Sequence, residues 1–185
     1  LLTGDLNGYI QPVRIPAEYE QAREWLSHQP EEFRIFAIPH PHYFVYINYK
    51  WAQYTMIDFL IDYLPKPVVE RTPGTGHESE LVLLINSLIL ENKTNTLAQI
   101  LGLANIKYLL LRFDVNTSYS FSYLRSVIEG THGVTLEKSF GDLLLFYRIQ
   151  RFEPRVVVSS LIVSFAGNAS DLVAFLDLYG GSAVS

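Results

Sequence analysis

Apolar positions along the chain form two kinds of pattern, and the two kinds alternate. Continuous apolar or aromatic runs, which are typical of buried strands, lie at 33–38, 106–112 and 143–149. Apolar residues recur at helical spacing over 17–28, 79–90, 96–101 and 119–129. Because strands alternate with helices, the pattern predicts an α/β domain built in layers, with a mixed, partly parallel sheet and helices packed on it.

The C-terminal half carries a predicted β-hairpin. Residues 134–139 and 143–149 flank the turn residues Gly141-Asp142, and the hairpin is expected toward one edge of the sheet. A further strand or strand pair is predicted at 156–165, followed by a last helix at 171–179.

The stretch between the first strand and the central helices is mixed. Residues 43–49 alternate like a strand, whereas the apolar residues up to Leu64 recur at helical spacing, which predicts a helix from about Tyr54. Val68 and Val69 predict a brief extended piece. Ser79 is a candidate N-cap for the helix that follows.

The length of 185 residues fits one domain with a sizeable core. Residues 1–15 contain glycines and prolines without a sustained period, so we predict an irregular lead-in and a single domain over 16–185. No apolar run approaches the roughly 20 residues that span a bilayer, and the chain itself is predicted to be soluble. Because it begins Leu-Leu-Thr, we interpret it as a piece of a longer protein whose membrane segment precedes the lead-in, although a processed mature chain would look the same.

Composition argues against several classes of binding partner and site. Fourteen basic and nineteen acidic side chains give a formal charge of −5, and no basic run could neutralise several phosphates, which argues against nucleic acid. Cysteine is absent, so disulfides and thiolate metal sites are excluded. Aromatic residues reach 14% of the chain.

Several short motifs follow one another along the chain. They are Pro16-Ala17-Glu18-Tyr19, Arg34-Ile35-Phe36-Ala37-Ile38-Pro39, the aromatic stretch around Trp51, Ala104-Asn105-Ile106-Lys107-Tyr108-Leu109-Leu110-Leu111, Phe140-Gly141-Asp142-Leu143-Leu144-Leu145-Phe146-Tyr147-Arg148, and Pro154-Arg155. In this order they resemble the extracytoplasmic domain of polytopic membrane glycosyltransferases of the GT-C type, including YfhO-like proteins of archaea and bacteria. The resemblance covers most of residues 16–159.

The resemblance implies a parent protein with many membrane helices and a lipid-linked sugar donor. It also implies that the catalytic acid lies in a loop between those helices, outside the present residues. The chain is therefore expected to be a non-catalytic domain on the extracytoplasmic face of the cell membrane, with no cofactor. Its expected partners are the transmembrane part of the same polypeptide and a glycan or lipid-linked sugar.

Three glycosylation sequons are consistent with an external location. They begin at Asn92, Asn116 and Asn168. Such triplets also arise by chance, and Asn168 is equally well explained as a turn or cap residue.

The histidines allow a second hypothesis, an independent α/β enzyme with a metal site in a loop. His40 and His42 could present two imidazoles to a metal, with His77 or His132 and a carboxylate completing the shell. The alternative is that Pro39 and Pro41 hold two exposed loop histidines.

Two other motifs carry weaker predictions. Gly74-Thr75-Gly76 before a helix could cradle an anion, but a plain flexible loop is favoured because the remaining phosphate-binding residues are missing. Asp58 and Asp62 would share a face of the predicted helix, as acid and base pairs do, although a solvated pair of like charges is the simpler interpretation.

An aromatic cluster is the candidate binding surface. It comprises Tyr43, Phe44, Tyr46, Tyr49, Trp51 and Tyr54. Aromatic faces stack on sugar rings and also occur at membrane interfaces, whereas alternate members of a strand must point into the core. We predict substrate contacts from Tyr43, Tyr46, Tyr49, Trp51 and His77.

Overall fold

A computed structural model describes residues 14–40, 46–52, 55–69, 76–150 and Asp171. Five helices form in these residues: α1 Ala17–Ser27, α2 Leu60–Tyr63, α3 Gly76–Leu90, α4 Thr94–Leu103 and α5 Phe121–Gly130. Seven strands form with them: β1 Arg34–Ile38, β2 Tyr46–Ile47, β3 Met56–Ile57, β4 Val68–Val69, β5 Ile106–Arg112, β6 Val134–Phe140 and β7 Leu144–Ile149.

The main sheet has five strands in the order β4-β1-β5-β7-β6. Strand β1 pairs in parallel with β4 and with β5, whereas β7 is antiparallel to both β5 and β6. The predicted α/β fold with a mixed, partly parallel sheet is confirmed. The predicted hairpin is also confirmed, since β6 and β7 lie at one edge of the sheet.

Strand β5 lies at the centre of the sheet, and all seven of its residues are buried. Its alternate residues point to two different hydrophobic cores, as side chains of a strand must. Leu109 and Leu111 pack in the core formed with α3, α4 and α5. Tyr108 and Leu110 pack in the core formed with α1 and the β2–β3 hairpin.

The Ala-Asn-Ile-Lys-Tyr motif serves the turn between α4 and β5. Asn105 has a φ of 58°, in the left-handed region that asparagine tolerates better than most residues. The side chain of Arg34 donates to the Ala104 carbonyl oxygen at 2.6 Å, and the Arg34 backbone N–H donates to the Asn105 carbonyl oxygen at 2.8 Å. The motif therefore holds the start of β5 against the start of β1.

Two local predictions are wrong. The helix expected from about Tyr54 is replaced by β3 and by the four-residue helix α2, because Met56 and Ile57 pair with β2 in a hairpin that packs on the sheet. Ser79 is not an N-cap, since α3 already begins at Gly76. The strand predicted at 156–165 and the helix at 171–179 lie outside the described residues, apart from Asp171, which is helical.

Strand β6 is the edge of the described sheet, and its middle is exposed. Residues 135–139 are all solvent-exposed, including Glu137 and Lys138, whereas Val134 and Phe140 at its ends are buried. The pairing with β7 shifts between Leu136 and Lys138, which is a β-bulge. The strand at the opposite edge, β4, has two residues.

We expect Gly141→Ala to lower the free energy of unfolding by about 1–2 kcal/mol. Gly141 has a φ of 54°, and a Cβ there would lie 3.1 Å from Glu18 Oε1. Gly130 is the matched control, because it has an ordinary φ and nothing within 4 Å of an added Cβ. Gly130→Ala should leave stability unchanged or raise it by up to about 1 kcal/mol. Equal losses for both variants in urea unfolding would contradict the turn assignment.

Candidate functional site

A buried ion pair lies where β5 ends, beneath the β2–β3 hairpin. Arg112 is 0% exposed and Asp58 3% exposed, and Arg112 Nη1 lies 2.8 Å from Asp58 Oδ2. Arg112 Nη2 donates to the Pro39 carbonyl oxygen at 3.0 Å, just after β1. The pair therefore joins the ends of β1 and β5 to the chain that follows β3.

Tyr49 completes this cluster. Its hydroxyl donates to Asp58 Oδ1 at 2.6 Å and accepts from Arg112 Nη1 at 3.1 Å. The backbone N–H of Leu60 also donates to Asp58 Oδ1, at 3.2 Å. Asp58 thus has partners on both carboxylate oxygens, which a buried carboxylate requires.

Asp114 organises a second, adjoining cluster two residues beyond β5. Its Oδ2 accepts from the Tyr19 hydroxyl at 2.8 Å and from Trp51 Nε1 at 2.6 Å. Asp114 and Tyr19 are buried, whereas Trp51 is half-buried. The indole ring of Trp51 packs at a tilt on Tyr49, with the ring centroids 4.5 Å apart. Helix α1 and the β2–β3 hairpin are therefore both attached to the same carboxylate.

Burial and neighbouring charges keep Tyr49, Tyr19 and Arg112 each in one protonation state at neutral pH. Burial raises the pKa of the Tyr49 and Tyr19 hydroxyls well above the ordinary value. Burial opposes the charge on Arg112, but the adjacent Asp58 carboxylate and the Tyr49 and Tyr19 hydroxyls together outweigh burial, so the pKa of the guanidinium is raised. At neutral pH the arginine is therefore charged and both tyrosines are protonated, so none of these three is prepared for proton transfer.

The predicted substrate-contact residues separate into several environments. Tyr46 is 54% exposed, Trp51 is half-buried, and Tyr49 is 1% exposed within the ion-pair cluster. Tyr43 lies outside the described residues. His77 belongs to α3, but its side chain is not among those described. Surface contacts by the described aromatic residues are thus available to Tyr46 and Trp51.

His40 is buried, at 8% exposure, so the expectation of an exposed loop histidine is wrong for this residue. Its ring stacks on Phe36 with the centroids 5.9 Å apart. It lines a small, largely apolar pocket together with Asn86 and Tyr119. No group of three histidine or acidic side chains within the described residues could hold a metal ion. Because His42 is outside those residues, the metal site stays a prediction.

The other sequence candidates have simple outcomes. Asp58 and Asp62 do not share a helix face, because Asp58 precedes α2 and is buried, whereas Asp62 is exposed on α2. Asn92 and Asn116 are exposed, and Asn168 lies outside the described residues. Residues 74 and 75 of the glycine-rich loop also lie outside them. The anion-cradle hypothesis is therefore not tested.

Sequence reasoning missed Arg112 as the partner of Asp58. One signal was present: an arginine at the end of an apolar strand predicted to be buried on both faces needs a buried acceptor. Nothing in the local spacing identified Asp58 as that acceptor.

No helix in the described parts of the chain is both long and apolar enough to cross a membrane. The fold and the buried clusters define a class: a mixed-sheet α/β domain with a small hairpin fixed at the end of its central strand. No family model matches the chain, and no curated protein matches it in sequence.

Solved structures with this fold include the arabinofuranosyltransferase AftD from Mycobacteria, with a TM-score of 0.61 and 20% identity over 74% of this chain and 12% of that one. A variant of the same protein gives a TM-score of 0.62, again with 20% identity, over 74% of this chain and 13% of that one. The C-terminal globular domain of the oligosaccharyltransferase from Archaeoglobus fulgidus gives 0.41 with 10% identity, over 74% and 99%. The chain thus spans 12–13% of the length of AftD, and the similarity to AftD establishes the fold.

The melting temperature should fall as the pH rises from about 10 to 12. Burial raises the pKa of the Tyr147 hydroxyl to about 12, and its hydrogen bond to Glu129 adds to this effect. The unfolded chain loses the same proton near pH 10, so the stabilisation is complete below pH 10 and lost towards pH 12. Thermal unfolding of Tyr147→Phe should show a shallower decline over this range. Identical slopes would contradict the assignment.

Proposed function

We propose that the chain is a non-catalytic extracytoplasmic domain of an integral membrane glycosyltransferase that uses a lipid-linked sugar donor. It packs on the membrane part and assists binding of the acceptor or the lipid-linked substrate. The observation that carries this proposal is the fold, which three quarters of the chain shares with about an eighth of AftD. The order of motifs from Pro16 to Arg155 points to the same class of parent.

The buried charges support a role in architecture. Arg112, Asp58 and Asp114 are the charged side chains that converge at the end of β5, and each is at most 3% exposed. A substrate could not reach them without displacing the hairpin. Their geometry therefore serves to fix the hairpin and α1 on the sheet, while the surface of the hairpin remains for contacts.

The proposed location is supported by accessible sequons. Asn92 follows the last turn of α3 and Asn116 follows Val115, and both asparagines are exposed. A glycan on either side chain would point away from the cores. Use of either sequon would place the domain on the external face.

The test is fractionation of source cells with an antibody against this domain, followed by external protease treatment of intact spheroplasts. We expect the epitope in the membrane fraction, on a polypeptide much larger than 21.1 kDa, and we expect the protease to destroy it. A cytoplasmic marker that survives the protease shows that the spheroplasts are intact.

A species near 21 kDa in the soluble fraction, protected from external protease, would contradict the proposal. Metal analysis of the purified protein and of its His42→Ala variant would then test the alternative of an independent enzyme.

A further inference from the structure

The β2–β3 hairpin turns one row of side chains outward. Tyr46 of β2 and Asn48 just after it are exposed, as are Thr55 just before β3 and Ile57 of β3, whereas Ile47 is buried. Tyr46 and Ile57 are direct partners across the hairpin. Thr55 Oγ1 donates a hydrogen bond to Asn48 Oδ1. We name these four exposed residues the outward hairpin face.

The chemistry of the outward hairpin face suits a sugar ring. Tyr46 is 54% exposed and Ile57 57% exposed, so an aromatic and an aliphatic surface lie side by side in solvent. The C–H face of a sugar stacks on an aromatic ring. The Asn48 amide N–H groups can donate to sugar hydroxyls, and the Thr55 hydroxyl oxygen, whose proton is donated to Asn48 Oδ1, can accept from them.

The charge distribution favours a neutral ligand. In the described stretches 46–52 and 55–57, Lys50 is the only residue with a charged side chain. Its ammonium donates to the Phe113 carbonyl oxygen at 2.7 Å and lies 5.0 Å from the Phe121 ring centroid. Anionic lipid surfaces are recognised by clusters of several lysines or arginines. The outward hairpin face has no such cluster and complements an uncharged oligosaccharide.

Contacts with the rest of the domain hold the β2–β3 hairpin in place, although its strands are short. Two-residue strands have little stability of their own. Here the Asn116 N–H donates to the Asn48 carbonyl oxygen at 2.7 Å, and the Lys50 N–H donates to the Asp114 carbonyl oxygen at 2.6 Å. The buried hydrogen bond from Tyr49 to Asp58 closes the inner side. The face is therefore preorganised, which lowers the entropy lost when a ligand binds.

We infer that the outward hairpin face binds a neutral oligosaccharide, the acceptor chain of the parent glycosyltransferase. The acceptor role rests on the proposed function above, whereas sugar binding rests on the face itself. Tyr46 and Ile57 form the stacking surface, and Asn48 and Thr55 select the hydroxyl pattern.

The test is an NMR titration of the 185-residue chain with neutral oligosaccharides of arabinose, mannose, glucose, galactose and N-acetylglucosamine. We expect at least one of them to bind and to shift the amide signals of Asn48 and Thr55. Tyr46→Ala should weaken that binding about tenfold, whereas Tyr46→Phe should keep it within about twofold, because the ring is retained. Leu103→Ala is the control, since Leu103 is 62% exposed on α4, and it should have no effect.

Three results would overturn the inference: no binding to any of these sugars at millimolar concentration, binding that Tyr46→Ala leaves unchanged in a correctly folded variant, or binding to phosphatidylglycerol vesicles instead. Failure of the inference is distinct from failure of the proposed function. A membrane-bound, externally cleaved domain that binds no sugar contradicts the inference alone. A sugar-binding domain protected from external protease contradicts the proposed function and leaves the binding face intact.

Discussion

Arg112→Met is expected to lower the free energy of unfolding by about 3–5 kcal/mol. The substitution keeps an unbranched side chain but removes the partner of Asp58, whose carboxylate then remains buried with the Tyr49 hydroxyl and one backbone N–H as donors. Removing one member of a buried ion pair is costly because the other charge stays out of water. Urea unfolding followed by circular dichroism measures the loss.

Two comparisons isolate this cause. Arg148→Met removes an exposed arginine, whose side chain is 51% accessible and pairs with Glu137 at 3.3 Å, and should cost less than about 1 kcal/mol. A triple variant, Arg112→Met with Asp58→Leu and Tyr49→Phe, removes the whole cluster and should recover most of the lost stability. If the triple variant were as unstable as Arg112→Met, loss of packing would explain the effect better than an unpaired charge.

Asp114→Ala is expected to cost about 2–4 kcal/mol, because two donors lose a charged acceptor at once. The Tyr19 hydroxyl is in a fully buried residue, and Trp51 Nε1 lies at the edge of the same core. The variant should also change the fluorescence of Trp51, measured in a Trp25→Phe background so that one tryptophan reports.

The matched control for Asp114 is Asp142→Ala, an exposed aspartate in the β6–β7 turn. It should change stability by no more than about 0.5 kcal/mol. Asp114→Asn keeps one acceptor oxygen without the charge and should fall between the two. A stability loss for Asp142→Ala as large as that for Asp114→Ala would show that the Tyr19 and Trp51 contacts contribute little.

The central strand of the sheet and the β6–β7 hairpin could be predicted because each has a signal in its own short stretch of sequence. The apolar run at β5 has no polar face, and a strand with that pattern must be covered on both sides. The hairpin of β6 and β7 followed from the glycine-containing turn at Gly141. Both signals come from neighbouring residues, so they can be recognised without knowledge of the tertiary structure.

The β2–β3 hairpin could not be predicted in the same way. Apolar residues from Met56 to Leu64 recur at helical spacing, yet Met56 and Ile57 pair with β2, and only Leu60–Tyr63 is helical. The choice is made by tertiary contacts, since Asp58 must meet Arg112, which is 54 positions further along the chain. Local periodicity contains no information about such a pair. For the same reason Asp58 was expected on a solvated helix face rather than in an ion pair.

The outward hairpin face was predicted in part. Residues 43–49 were expected to alternate like a strand, with some members in the core, but Tyr46 and Tyr49 were both predicted to contact substrate. Tyr46 is exposed, whereas Tyr49 is buried. Asn48, Thr55 and Ile57 were not selected, because their proximity depends on the register in which Tyr46 opposes Ile57. A register across a hairpin is fixed by turn geometry and by burial together.

The bulge in β6 affects whether copies of this domain associate with one another at high local concentration. A long, flat strand at the edge of a sheet is a template for another chain, and copies held at high local concentration would join edge to edge. Glu137 and Lys138 place opposite charges on this edge, and the register shifts between Leu136 and Lys138. A bulge of this kind increases the local twist, which disfavours pairing with a second sheet. At this edge, neighbouring copies should therefore resist amyloid-like stacking.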